Sequence, residues 1–286
     1  MNRMRSMLFS PANNPKMYLK APIFKPDCIL FDLEDSVAFT EKDAARDLLC
    51  EAVKVLDFGS SDVCVRVNSL RTPFCEKDIK AIVPAGIRFI RLAMCESKDD
   101  VIQISQMLSE AEKANGVEEG SVKVQCSIET VKGVLNARDT VSGSDRVVSL
   151  SFGAEDYTRS LGTKRTREGR ELMYARMYLP VVAAEKGISA IDTVYSAIED
   201  MEGLKGEAEM AANYGFTGKS CIHPNQIEVI HSAFMPTAED VEHARKVMAA
   251  LEDAKAKGEG VFVVDGKMVD EPVIQRARKV LMQIGE

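Results

Sequence analysis

The chain has 286 residues, a formal charge of -7, 45% hydrophobic residues and no tryptophan, which is enough to bury one large core or two small ones. An acidic balance without clustered Lys and Arg excludes a general nucleic-acid binder, and scarce aromatics exclude a base-stacking platform. No apolar stretch is long enough for a membrane span or a secretory signal, so the expected location is the cytoplasm.

Seven cysteines, at positions 28, 50, 64, 75, 95, 126 and 221, form no Cys-x-x-Cys pair. An odd count inside apolar runs reads as free, buried thiols in a reducing compartment. Cys221 and His223 would share a strand face, and their pairing reads as packing rather than chemistry.

In chain order, short apolar runs suited to strands occur at Arg5–Ser10, Cys28–Asp35, Asp62–Ser69, Gly86–Ala93, Lys123–Thr130, Arg146–Gly153, Ala190–Ala197 and Gly218–Pro224. Helical segments alternate with them, among them Glu41–Leu56, Lys98–Ala114, Glu168–Lys186 and Glu199–Tyr214, with Gly187 and Gly215 as C-terminal stops. Alternating strands and helices build parallel βαβ units, and eight units close an α/β (β/α)8 TIM barrel over residues 1–230. A doubly wound sheet competes, but its Gly-rich turn after the first strand is replaced here by Ser10-Pro11-Ala12-Asn13-Asn14. Residues 231–286 read as a C-terminal helix–hairpin–helix appendage: a charged helix over Thr237–Lys257, a hairpin about Asp265-Gly266, and a last helix with Asp270 as N-cap and Pro272 in its first turn.

Barrel chemistry sits at the C-terminal strand ends, and here those ends are polar: Ser10; Asp32, Glu34 and Asp35; Arg66 and Asn68; Glu129; Glu155 and Asp156; Asp192 and Tyr195; His223. Glu129 and Asp156 end neighbouring strands about 5 Å apart, close enough to share one ion. Carboxylate-only ligation points to Mg²⁺, with Mn²⁺ as a substitute, whereas zinc wants nitrogen or sulfur and the three histidines lack the spacing. A helix N-terminal acid is the bland alternative for Glu129. Arg66, between β-branched residues, needs either an acid such as Glu34 or a substrate carboxylate that it can clamp with two hydrogen bonds. The three acids Asp32, Glu34 and Asp35 repel unless they are protonated or paired with a cation. The basic segment Thr163–Arg170 is either a solvated loop or a site for a phosphate-bearing carrier arm.

Six ordered motifs, Arg5-Ser6-Met7-Leu8-Phe9-Ser10-Pro11, Phe31-Asp32-Leu33-Glu34-Asp35-Ser36-Val37, Val65-Arg66-Val67-Asn68, Ile128-Glu129-Thr130, Phe152-Gly153-Ala154-Glu155-Asp156 and Gly218-Lys219-Ser220-Cys221-Ile222-His223-Pro224, resemble the citrate lyase beta / malyl-CoA lyase / HpcH-HpaI aldolase family. The run from Gly153 to Leu172 and the tail from Asp265 to Val273 look most like its citrate lyase beta branch. The resemblance implies a homo-oligomer, a trimer or multiple of one, with Mg²⁺ on Glu129 and Asp156. It implies a substrate carboxylate on Arg66, with Asp35 and Asn68 beside it, and a proton-transferring acid at Asp270 that reaches a neighbouring subunit's site. Glu34 is the other candidate base. Ala93-Met94 stands where many relatives carry Pro-Lys.

The implied reaction is Mg-dependent carbon–carbon cleavage of a citryl thioester, on acyl carrier protein or CoA, to oxaloacetate and an acetyl thioester. Citrate lyase alpha and gamma subunits are the implied partners. A malyl-CoA or citramalyl-CoA lyase is the alternative enzyme, and a non-catalytic assembly subunit the alternative from another class.

Overall fold

The structure is a computed structural model that describes residues 4–257 and 261–285. It divides into two compact units, Met1–His231 and Ser232–Glu286.

The first unit is a closed barrel of eight parallel strands in sequential order: β1 Ser6–Pro11, β2 Cys28–Asp32, β3 Asp62–Val67, β4 Phe89–Leu92, β5 Lys123–Ile128, β6 Val147–Phe152, β7 Ser189–Asp192 and β8 Gly218–Cys221. The helices α1 Pro15–Lys20, α2 Lys42–Val55, α3 Cys75–Ile82, α4 Lys98–Ala114, α5 Val131–Val141, α6 Ala154–Leu161, α7 Met173–Lys186, α8 Met201–Asn213 and α9 Gln226–Ala233 connect and follow the strands. The strands are buried on both faces, which is why they read as continuous apolar runs rather than alternating ones. The barrel closes where β8 pairs with β1. A side chain at Gly218 would meet the Met4 carbonyl oxygen at 1.9 Å, so the seam admits only glycine there.

Every expected strand is present, but most end sooner than the apolar runs suggest. β2 stops at Asp32, three residues early, because the Asp32 carboxylate accepts the Glu34 and Ser36 amides and bends the chain. Lys42 Nζ then donates to the Leu33 and Glu34 carbonyls and fixes the turn. β7 likewise stops at Asp192, whose carboxylate is held by Lys219 at 2.7 Å and Arg176 at 3.1 Å.

Inside the barrel, alternate residues of a strand face the axis, and their character changes along the strand. Cys28 and Leu30 lead to Asp32, Cys64 to Arg66, and Phe89 to Arg91. The apolar members pack with Met4, Met7 and Ile191 into one plug. The polar members are register partners, with Asp32 beside Arg66, Arg66 beside Arg91, Arg91 beside Gln125 and Gln125 beside Ser149. All seven cysteines are free and buried. Among the described residues no helix is long and apolar enough to cross a membrane.

The second unit contains α10 Ala238–Lys257, the antiparallel pair β9 Phe262–Val264 and β10 Lys267–Val269, and α11 Glu271–Ile284. Asp265 and Gly266 both take positive φ, 48° and 77°, as a tight two-residue hairpin requires. Val247, Leu251, Val264, Val269 and Ile274 form its core.

Candidate active site

The C-terminal mouth of the barrel holds a cavity of about 440 Å³ whose wall includes Asp32, Asp35, Arg66, Arg91, Glu129 and Asp156. A larger groove of about 590 Å³ lies against α3, α4 and the loop after β3, with Glu76 and Glu110 as the acids that line it.

Arg66 is pinned. Its Nε and Nη2 donate to the two Asp32 oxygens at 2.6 and 2.8 Å, and its Nη1 lies 3.0 Å from Glu34 Oε2 and 3.5 Å from Asp35 Oδ2. The two-hydrogen-bond edge expected to clamp a substrate is therefore taken by Asp32, and Nη1 faces the remaining acids. Burial opposes ionisation of Asp32, but the Arg66 charge and hydrogen bonds prevail and hold its pKa at about 2. Burial has the upper hand at Glu34, with help from Asp35 and against Arg66, and pushes its carboxyl up to about 8.

Glu129 follows β5 directly and is 4% exposed. Its Oε1 accepts the Met94 amide at 2.5 Å and its Oε2 accepts Ser127 Oγ at 3.0 Å. Met94 delivers that amide from a left-handed conformation, φ 56°, a state that costs a non-glycine residue roughly 1–2 kcal/mol. So at the position where Pro-Lys was expected by resemblance, this chain supplies a backbone N–H that orients the acid. Gly153 passes on the other side: a Cβ there would lie 2.6 Å from Glu129 Cβ and 2.7 Å from Oε2. Burial raises the Glu129 pKa against the pull of Arg66 and the Met94 amide, and Asp156 adds to the rise.

Asp156 does not end a strand as expected. It lies in the first turn of α6, which begins immediately after Gly153. Its carboxylate reaches the same cavity, with Arg159, a largely exposed arginine, at 2.6 Å from Oδ1. Burial raises its pKa, Arg159 opposes, and Asp35 contributes repulsion.

The other expected residues fall elsewhere. Asn68 is buried beside the cavity but is committed to Asp78 and the Leu33 carbonyl. Glu34 is not part of the cavity wall but touches it through Arg66, whose Nη1 lies 3.0 Å from Glu34 Oε2. Asp270 belongs to the second unit, where it caps α11 by accepting the Val273 amide. Asp192 and Tyr195 are tied to Lys219 and Asp200. Cys221 donates to the Met7 carbonyl while His223 Nδ1 accepts the Asn225 amide, so the two do not pair. In the basic segment, Arg165 is paired with Glu155, and Arg167 with Asp200. Arg91 was missed by sequence reasoning, although Phe89-Ile90-Arg91-Leu92 carries the signal that flagged Arg66, a lone arginine within an apolar strand.

The donors facing the cavity are all oxygens, so the site suits a hard divalent cation. Among the described residues no group of three or more Asp, Glu, His or Cys converges into a cage. Mg²⁺ needs none, since it is usually held by one or two carboxylates with waters and substrate oxygens completing the shell. Glu129 and Asp156, each made harder to ionise by the other acids and by burial, fit that role.

A closed parallel barrel with an acid-lined cavity at its C-terminal strand ends has the architecture of a TIM-barrel enzyme. The family model for HpcH/HpaI aldolase/citrate lyase matches residues 5–224, and the chain belongs to that family. It is 43% identical over 277 residues to citrate lyase subunit beta of Leuconostoc mesenteroides subsp. cremoris, covering 97% of this chain and 92% of that protein. It is 31% identical over 287 residues to the mitochondrial citramalyl-CoA lyase of Rattus norvegicus, covering 97% and 85%. The crystal structure of protein CitE from Mycobacterium tuberculosis in complex with magnesium, acetoacetate and coenzyme A aligns with a TM-score of 0.83 at 31% identity, covering 100% of this chain and 99% of that one.

Proposed function

We propose that the chain is a Mg²⁺-dependent lyase that cleaves a citryl thioester to oxaloacetate and an acetyl thioester. The observation that carries this reading is the pair Glu129 and Asp156 on one cavity wall, with Glu129 fixed from two sides. Near-full-length similarity to a citrate lyase subunit beta supports the citryl substrate. Similarity to a citramalyl-CoA lyase keeps the shorter thioesters as the second reading.

Glu129 and Asp156 would hold the metal, which when bound would supply Lewis-acid polarisation of the substrate's oxygens. Arg66 Nη1 points positive charge toward the oxygen that becomes the keto group, and Asp32 keeps the guanidinium from turning away. Glu34 Oε2, beside that Nη1, accepts the hydroxyl proton. The bond between the carbinol carbon and the methylene next to the thioester then breaks. Its electron pair passes into the thioester enolate, which takes a proton to become the acetyl thioester. Asp270, the half-buried N-cap of α11 on the second unit, is the alternative proton carrier, acting at a neighbouring subunit's site in the homo-oligomer. Citrate lyase alpha and gamma subunits, an acyl carrier or CoA, a homo-oligomer and a cytoplasmic setting belong to the same proposal.

The test is oxaloacetate release from citryl-CoA by the purified chain with and without Mg²⁺. Metal-dependent release is expected. Cleavage of malyl- or citramalyl-CoA alone moves the substrate, and inertness toward all three thioesters refutes the lyase reading.

A further inference from the structure

Five arginines are buried among the described residues: Arg46, Arg66, Arg91, Arg146 and Arg176. Four of them hold a carboxylate: Arg46 holds Asp78, Arg66 Asp32, Arg146 Glu112 and Arg176 Asp192. Arg91, 3% exposed, holds none. Its Nε donates to Gln125 Oε1 and its Nη2 to Met7 Sδ and Ser220 Oγ, all uncharged, while Nη1 bonds no described residue. Burial draws its pKa down to about 10, which leaves it cationic at neutral pH. Glu129 acts on it through charge alone, without a bond; a buried charge that no carboxylate bonds is costly, and it persists where something else supplies the anion.

Arg91 lines the same cavity as Glu129 and Asp156. It is the register partner of Arg66 on the neighbouring strand, and both guanidinium carbons lie about 5 Å from the Phe9 ring, at 5.1 and 5.2 Å. Arg66 already holds Asp32 through two hydrogen bonds and faces Glu34 and Asp35 with Nη1, so Arg91 is the guanidinium on this wall without a carboxylate partner. Malyl and citramalyl chains carry a single free carboxylate, on the hydroxyl-bearing carbon. A citryl chain carries that group and a second one on a methylene arm.

We propose that Arg91 binds this second carboxylate and so selects citryl over malyl and citramalyl thioesters. The inference rests on the lyase reading above. A group built to receive a charged partner rejects analogues that leave it unpaired more strongly than an apolar pocket could. A carboxylate on Nη1 would also give the guanidinium the charge balance that the other four buried arginines already have.

The experiment compares the parent, Arg91→Met and Arg91→Lys in Mg²⁺ by two readouts. Calorimetry measures binding of oxaloacetate and of pyruvate, keto acids that differ only by the second carboxylate. Initial rates compare citryl-CoA with citramalyl-CoA. The parent is expected to prefer oxaloacetate by about tenfold or more, and Arg91→Met to erase that preference. The same variant should lower kcat/KM for citryl-CoA by about 100-fold and for citramalyl-CoA far less. Arg91→Lys, which lacks the planar fork, should fall between. A parent without preference between the keto acids overturns the proposal whether or not the variants fold. Equal losses on both thioesters with the preference intact also overturn it and leave the lyase reading standing. Absence of all binding and all cleavage in the parent overturns that reading itself.

Discussion

Replacing Gly153 by alanine tests whether the position of Glu129, rather than its mere presence, carries activity. The backbone at Gly153, φ -109° and ψ 96°, is open to any residue, so the substitution brings no conformational strain. The added Cβ would lie 2.6 Å from Glu129 Cβ, and ordinary contact begins near 3.4 Å, so Glu129 must retreat by about 0.8 Å. Both of its oxygens are committed, to the Met94 amide and to Ser127 Oγ, and a retreat of that size strains at least one bond. A hydrogen bond to a charged group is worth about 1.5–3 kcal/mol, and the lower entropy of the unfolded alanine chain returns about 0.4–1 kcal/mol. The net loss is about 1–2 kcal/mol, a fall in Tm of roughly 2–8 °C for a unit this large. Misplacing a reacting group by about 1 Å can cost about 100-fold in rate. Calorimetric melting beside kcat/KM for citryl-CoA over a Mg²⁺ titration checks both numbers. A variant with the parent's rate and the parent's half-saturating Mg²⁺ would refute the reasoning, even if it melted early.

Glu129→Gln and Asp156→Asn should each abolish detectable Mg²⁺-dependent cleavage at saturating metal while leaving the far-ultraviolet circular dichroism unchanged; retained turnover in either rules that acid out as a ligand. The Glu34 carboxyl, raised to about 8, must be ionised to accept a proton, so kcat should climb with pH toward that value. Glu34→Gln should remove the climb, and an unaltered pH–rate profile would assign the proton to another group. Asp32 contributes stability with the opposite sense of pH. Its folded pKa of about 2 lies below the ordinary 3.8, so its contribution is full above 3.8 and is lost as pH falls from there through 2. Asp32→Asn should therefore be less stable than the parent at pH 7, with the gap narrowing over that acid window in denaturant titrations.

The barrel was legible because strands buried on both faces leave continuous apolar runs, which recur eight times without interruption by a competing pattern. Their ends were not, because side-chain bonds to distant backbone decide them: Asp32 turns the chain only once Arg66, 34 residues away, holds its carboxylate. Asp156 was placed at the right end of the barrel, just past the run that ends at Gly153, and the structure makes that stretch the first turn of α6. Asn68 looked like a site residue by position, yet its partner Asp78 sits on a helix that follows. Arg91 shows the reverse failure. It carries the same pattern as Arg66, a lone arginine within an apolar strand, yet drew no attention, and the lack of a bonded carboxylate is what sets it apart.

The rung of register partners from Asp32 through Arg66 and Arg91 to Gln125 runs obliquely around the barrel, because staggered strands carry aligned residues to different heights. This run of side chains, across four of the eight strands, thus steps from the strand end at Asp32 to mid-strand at Gln125. Groups that read the acyl chain stand on rigid staves, whereas Glu129 and Asp156 stand on the segments that follow them. The proposed selectivity group Arg91 and the metal-holding acids are therefore mounted on different parts of the machine, and substitution of Arg91 is expected to retarget the lyase to another acyl chain while its metal chemistry stays as it is.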